Sequence, residues 1–237
     1  TLKTREIPMR NDICTIPLSE VFENGDGCPI CRMKKMLEER LVDYILGAAM
    51  MEPDVRIETN KLGFCKSHLS KMGKKHNRLQ LGLILETHLQ QIGDDVFKKG
   101  LLGVNVKKSA YKTARIEETC FICDKIEWGL SRLLQTLFKT YSAELDFRET
   151  FRNQEFICLP HYRLLVENAP ENLAKKQLSD FNEDCLKLTK SYLESLYDDV
   201  HAFTKSFDYR NAENENEIPI NVKNSIDRTC DFLTTED

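Results

Sequence analysis

Long apolar runs are missing from this sequence. No stretch approaches the roughly 18 uncharged apolar residues of a membrane span, and the best run, YILGAAMM at 44–51, falls far short. The opening ten residues, TLKTREIPMR, lack the apolar core of a secretory signal. Only 7 prolines and 10 glycines occur in 237 residues, while Leu, Lys and Glu abound, so helices are favoured over a turn-rich sheet sandwich. No HExxH, Walker A loop or GxSxG is present, and GLLG at 100–103 is not a phosphate motif. These absences predict a soluble, cytoplasmic chain with no membrane partner and no legible catalytic constellation.

Charge is unevenly placed around a net of −4. Residues 61–78 carry six basic side chains and no acid, as do residues 98–115. From Glu167 onward 16 acids face 8 bases. Such blocks are either faces that complement one another or a surface for nucleic acid. Aromatics are not interleaved with the lysines as a base-stacking surface needs, so complementing faces are the favoured reading.

Nine cysteines are many, and an odd number without a secretory signal argues against a disulfide framework. Their spacing points to metal. CPIC at 28–31 is followed by CKSH at 65–68, then CFIC at 120–123 by CLPH at 158–161. The gap holds 33 residues in the first unit and 34 in the second. The likeness extends beyond the ligands: DVRIETNKLGFCKSH at 54–68 aligns with DFRETFRNQEFICLPH at 146–161 with one residue inserted. Arg56 and Arg148 each lie 25 residues past the preceding CxxC. One supersecondary unit has been duplicated. The expected organisation is residues 1–97 as an N-terminal flank and first repeat, 98–116 as a linker, 117–208 as the second repeat, and 209–237 as a loop and docking helix.

Helical periodicity follows each CxxC. Met33, Met36, Leu37, Leu41, Tyr44, Ile45 and Ala48 recur at three and four, as do Ile126, Leu130, Leu133, Leu134, Leu137, Phe138 and Tyr141. A second helix is expected over about 78–97, apolar nearly all round and therefore central. Another is expected over about 171–207, striped by Leu178, Phe181, Cys185, Leu188, Tyr192, Leu196 and Phe203, with Pro170 just before its start. Residues 12–23 read as extended or irregular, and 212–217 as a polar loop. Val222, Ile226, Cys230 and Leu233 mark a short amphipathic helix. The fold class is all-α: two zinc-tied helical hairpin repeats in one bundle.

Two residues between ligands let one turn present both sulfurs to an ion, and three thiolates with one imidazole are a standard tetrahedral zinc set. The ligands are Cys28, Cys31, Cys65, His68, Cys120, Cys123, Cys158 and His161, for two zinc ions. Each pair opens a helix, whose N-terminal amides favour thiolate. A thioredoxin-like pair would need a βαβ setting that is missing, and haem attachment fails because Arg32 and Asp124 follow the CxxC pairs. Iron–sulfur ligation less often includes histidine. Four protein ligands leave no open position for water, which argues against hydrolysis at the metal. Ligand sharing admits two arrangements, each repeat closing its own site or the repeats exchanging halves; local closure is the favoured one.

Remaining polar landmarks receive structural readings. Cys14, Cys185, Cys230 and Trp128 are core candidates, His88 a satisfied core histidine, and His76 exposed. Asp54 with Arg56 and Asp146 with Arg148 are candidate surface ion pairs that steady the loop before each CxxH.

These ligand words, with DYILGAAMMEPDVRIETNKLGFCKSH at 43–68 and FTKSFDYRN at 203–211, resemble a bacterial domain-of-unknown-function family seen largely in anaerobic Gram-positive organisms. The likeness runs from about residue 13 to the C-terminal helix, and all eight ligand positions match. It implies a bacterial cytoplasmic protein and supplies no activity. The expected role is a non-enzymatic scaffold that binds a protein partner. Alternatives are a nucleic-acid binder, a thiol or zinc redox sensor, and an enzyme with a cleft lined by Arg56, Glu58 and Arg148.

Overall fold

The computed structural model describes residues 18–23, 26–97, 105–207 and 218–234. Among these residues the chain is helical without strands, as the periodicity predicts. In order, the helices are α1 (Leu18–Glu23), α2 (Pro29–Ile45), α3 (Pro53–Leu62), α4 (Lys66–Lys74), α5 (Arg78–Val96) and α6 (Val106–Glu118). There follow α7 (Phe121–Ala143), α8 (Leu145–Arg152), α9 (Leu159–Asn172), α10 (Lys175–Ser206), α11 (Ile220–Lys223) and α12 (Ser225–Leu233). None of the described helices is long and apolar enough to cross a membrane.

Two compact units form, and they are not the consecutive repeats. One gathers the described residues of Lys34–Ser131; the other gathers those of Ile16–Met33 and Arg132–Asp237. The division falls inside α2 and inside α7, the two helices that begin at a CxxC.

In the first unit, α5 packs against α3, α4 and α6. Leu37, Leu41 and Ile45 of α2 are buried, as their spacing predicts. A side chain at Gly129 of α7 would meet both Leu37 methyls at 3.3 Å, so glycine permits the close approach there. Helix α5 is not central. Ile84, His88 and Val96 are its buried residues, whereas Leu79 is 71% and Leu89 66% exposed. Apolar residues on every side would bury a helix only if neighbours covered every side, and here they cover one stripe.

In the second unit, α10 lies against α9, α11 and α12. Its expected stripe buries Phe181, Cys185, Leu188, Tyr192 and Leu196. Aromatic rings fill the core: Phe181 meets Phe138, Tyr141 and Phe151 with centroids 5.3, 4.9 and 5.3 Å apart. Phe156 stacks on Tyr192 at 3.8 Å. Tyr141 donates its buried hydroxyl to Asp184 at 2.6 Å, which Arg152 also holds at 2.9 Å. Burial, followed by that hydrogen bond to a carboxylate, pushes the Tyr141 phenol above its ordinary range.

Several expectations need correction. Leu18–Glu23 is a helix, not irregular chain, while 12–17 and 212–217 lie outside the described residues. The stretch before each CxxH is helical too, α3 and α8, where a loop was expected. Within 98–116, residues from Val106 form α6 against α5. Pro170 sits in the last turn of α9, which ends two residues later, so it closes that helix instead of opening the next. At the C-terminus a break at Asn224 turns the buried face to Val222, Ser225 and Phe232, leaving Ile226, Cys230 and Leu233 outside. Trp128 is 42% exposed, and Cys14 lies outside the described residues.

Candidate metal centres

Eight donors come together in two sets of four, and each set draws on both repeats. Cys28 and Cys31 meet Cys158 and His161; Cys65 and His68 meet Cys120 and Cys123. Local closure within a repeat is therefore overturned: the repeats exchange halves. Each set nevertheless belongs to a single compact unit. The reason is helical. Cys31 lies in the first turn of α2, and the helix carries the chain away; His68 meets α2 at Glu38, ten residues past Cys28.

The local backbone prepares both halves. Cys65 (φ −71°, ψ 163°) and Cys158 (φ −66°, ψ 157°) are the extended residues that cap α4 and α9. In that conformation a side chain turns back over the first-turn amides, and the ligating histidine follows three residues on. Gly63, at φ +62°, turns the chain into Cys65, and a side chain there would strike the His88 ring at 2.9 Å. His88 itself is satisfied by the Asn60 carbonyl at 3.0 Å, as expected of a core histidine. The facing knuckles are tied together: Phe121 N–H donates to Gly63 O at 2.9 Å and Thr119 Oγ1 to Leu62 O at 2.7 Å. In the other set Gly27 N–H donates to Glu155 at 2.6 Å. Arg32 bonds the carbonyls of Val21, Asp26 and Gly27 and the Gln154 side chain.

Zinc–sulfur bonds of about 2.3 Å and zinc–nitrogen bonds of about 2.0–2.1 Å at tetrahedral angles imply S···S edges near 3.8 Å and S···N edges near 3.6 Å. Cys31 and Cys158 sulfurs lie 3.7 Å apart, and those of Cys65 and Cys123 3.9 Å. From His161 Nδ1 the sulfurs of Cys28, Cys31 and Cys158 stand at 3.6, 3.2 and 3.0 Å. From His68 Nδ1 those of Cys65, Cys120 and Cys123 stand at 3.1, 3.3 and 3.4 Å. These two sulfur edges match, the imidazole edges fall at or below the ideal, and the cysteines are free of disulfides.

Crowded sulfurs oppose one another's ionisation. Burial works against the Cys28 thiolate, but hydrogen bonds from Cys158, Cys31 and His161 outweigh it and hold this thiol well below its ordinary value. The hydrogen-bonded Cys158 and Cys28, with burial, push Cys31 far up. Burial and the neighbouring Cys120 push Cys123 up to about 12. A divalent cation at the centre would supply the charge that several adjacent thiolates require.

The sets differ in their surroundings. Glu38 Oε1 approaches His68 Nε2 at 2.9 Å, off the N–H axis, and Lys71 holds the same carboxylate at 2.7 Å. The repeat-equivalent position, seven residues after Cys123, is Leu130. Burial holds His68 below the ordinary imidazole range despite Glu38, which favours the neutral, metal-binding form. No ligand spacing could have pointed to Glu38, since only the exchange of halves brings it to His68. Replacing Glu38 with Gln should weaken a metal ion bound at the His68 set by about 10–100-fold and spare one at the His161 set. Competition against a chromophoric chelator reads both affinities; two unchanged values would reduce Glu38 to a partner of Lys71.

The candidate ion-pair residues all lie in α3 and α8. Asp54 and Asp146 stand in the first turns of α3 and α8, where a carboxylate complements the helix dipole. Arg56 donates to Leu83 O and Thr87, Arg148 to Tyr141 O and Ser142 O. Glu58, read as a cleft residue, pairs with Lys125 at 2.9 Å.

The chain belongs to the Family of unknown function (DUF6062), whose model matches residues 9–237. It is also similar to an uncharacterized 23.9 kDa protein in the xynA 3' region of Caldicellulosiruptor sp. (strain Rt8B.4), at 21% identity over 187 residues, covering 78% of this chain and 85% of that protein. No solved structure matches.

Proposed function

We propose, with that family membership as the starting point, that the chain is a zinc-tied helical scaffold of the cytoplasm that presents its helices to a protein partner. The observation that carries this reading is the geometry of eight donors in two sets of four, with sulfur edges of 3.7 and 3.9 Å. Three sulfurs and one imidazole suit zinc better than harder cations, and thiolate ligation suits a reducing compartment. Four protein ligands leave zinc no position for a catalytic water, so both ions are structural. The duplicated halves, 1–97 and 117–208, are on this reading the units of sequence duplication, joined by exchange of their ligand pairs.

Basic side chains speak for the scaffold over the nucleic-acid reading. Lys71 pairs with Glu38, Lys75 with Asp43 and Lys112 with Asp95, so these members of the two basic runs are matched by acids within their own unit. Complementing faces account for them without phosphate.

Protein purified without added metal should carry two zinc ions per chain by mass-spectrometric metal analysis. Zinc-edge X-ray absorption should fit three sulfurs and one nitrogen, with sulfur near 2.3 Å. Iron with a charge-transfer band would replace zinc by a cluster, and fewer than one bound metal would remove the reading.

A further inference from the structure

We propose that the zinc held by Cys65, His68, Cys120 and Cys123 is the exchangeable one of the pair, and that the Cys123 sulfur is where an oxidant enters. This deepens the zinc reading above and rests on it. The two donor sets have the same chemistry but different exposure. In the His161 set, Cys28 is 4% and Cys158 0% exposed, and Cys31 is only partly open. In the His68 set, Cys120 is 7% exposed, but Cys123 is exposed and Cys65 partly so. A thiolate must present a lone pair to its oxidant, and a chelator must reach the metal along an open edge. Only the edge from Cys65 to Cys123, 3.9 Å between sulfurs, meets both demands.

The chemistry balances with a hydroperoxide as oxidant. The Cys123 thiolate attacks hydrogen peroxide, the O–O bond breaks, and a sulfenic acid forms as hydroxide leaves. The Cys65 thiolate then attacks that sulfur and expels a second hydroxide, forming the Cys65–Cys123 disulfide. The two sulfurs give up two electrons and the peroxide oxygens accept them. Zinc, left with Cys120 and His68, passes to a chelator. Release would remove the metal tie between α4 and the start of α7, whereas the ion at Cys28 and Cys158 stays.

The full-length two-zinc protein is treated with hydrogen peroxide in the presence of a chromophoric zinc chelator, and its cysteines are then mapped by alkylation and peptide mass spectrometry. One equivalent of zinc should leave at least about tenfold faster than the other, with Cys123 in the first disulfide. Cys123→His should retain two zinc ions and lose the fast phase, while Cys230→Ser, at an exposed cysteine outside both sets, should leave that phase in place. Simultaneous release of both ions, or first oxidation at Cys28, Cys31 or Cys158, overturns the proposal. Protein that holds no zinc before oxidation overturns the zinc reading itself, a separate result read before any peroxide is added.

Discussion

Changing Cys65 to Ser should empty the site at Cys120 and Cys123 and leave the site at Cys28 and Cys31 filled. Metal content should fall from two equivalents towards one. Structural zinc of the kind proposed would contribute about 10–16 kcal/mol of apparent binding free energy that is coupled to folding, so losing it from one set should loosen the unit containing α3 to α6. Helices α8 to α12 belong to the other unit and should keep their protection from amide exchange. Cadmium-substituted protein read by NMR supplies the direct check. Cys65, Cys120 and Cys123 should couple to one cadmium, and Cys28, Cys31 and Cys158 to the other. Coupling of Cys65 to the cadmium of Cys28 would restore local closure and sink the exchanged pairing.

Phe181→Ala should destabilise the second unit by about 3–5 kcal/mol, the range for removing a fully buried aromatic ring. Phe181 is fully buried and contacts Phe138, Tyr141 and Phe151. Three rings would lose a packing partner, and Tyr141 would also lose a wall beside its hydroxyl bond to Asp184. The truncated site can collapse only partly, because α8 packs against α1, and α10 against α9, α11 and α12. Leu186→Ala on the same helix is the control: Leu186 is 51% exposed, and its loss should cost under about 0.5 kcal/mol. Urea unfolding monitored by far-ultraviolet circular dichroism separates the two. A Phe181→Ala cost below about 1 kcal/mol would mean that the aromatic cluster is not the core of this unit.

The all-α class, the duplication, the identity of eight ligand candidates and the faces of α2, α7 and α10 were all legible in the sequence. Each is a local property: spacing sets ligands on one turn, and a period of three and four sets a buried stripe, whatever lies opposite. Which stripe of α5 finds neighbours is not local, and Leu79 and Leu89 read as core although both are exposed. The same limit applies to α12, where a break at Asn224 changed the buried face. Ligand pairing is the clearest case. Both CxxH pairs carry the same donors, so chemistry cannot choose between them. Closing the 126 residues between Cys31 and Cys158 instead of about 34 costs only about 1 kcal/mol, because the dependence is logarithmic. The choice fell to helix direction: α2 and α7 start at their cysteines and run away from them, so the returning CxxH meets the other repeat's pair, a consequence of rigid helix geometry that only the packed structure contains.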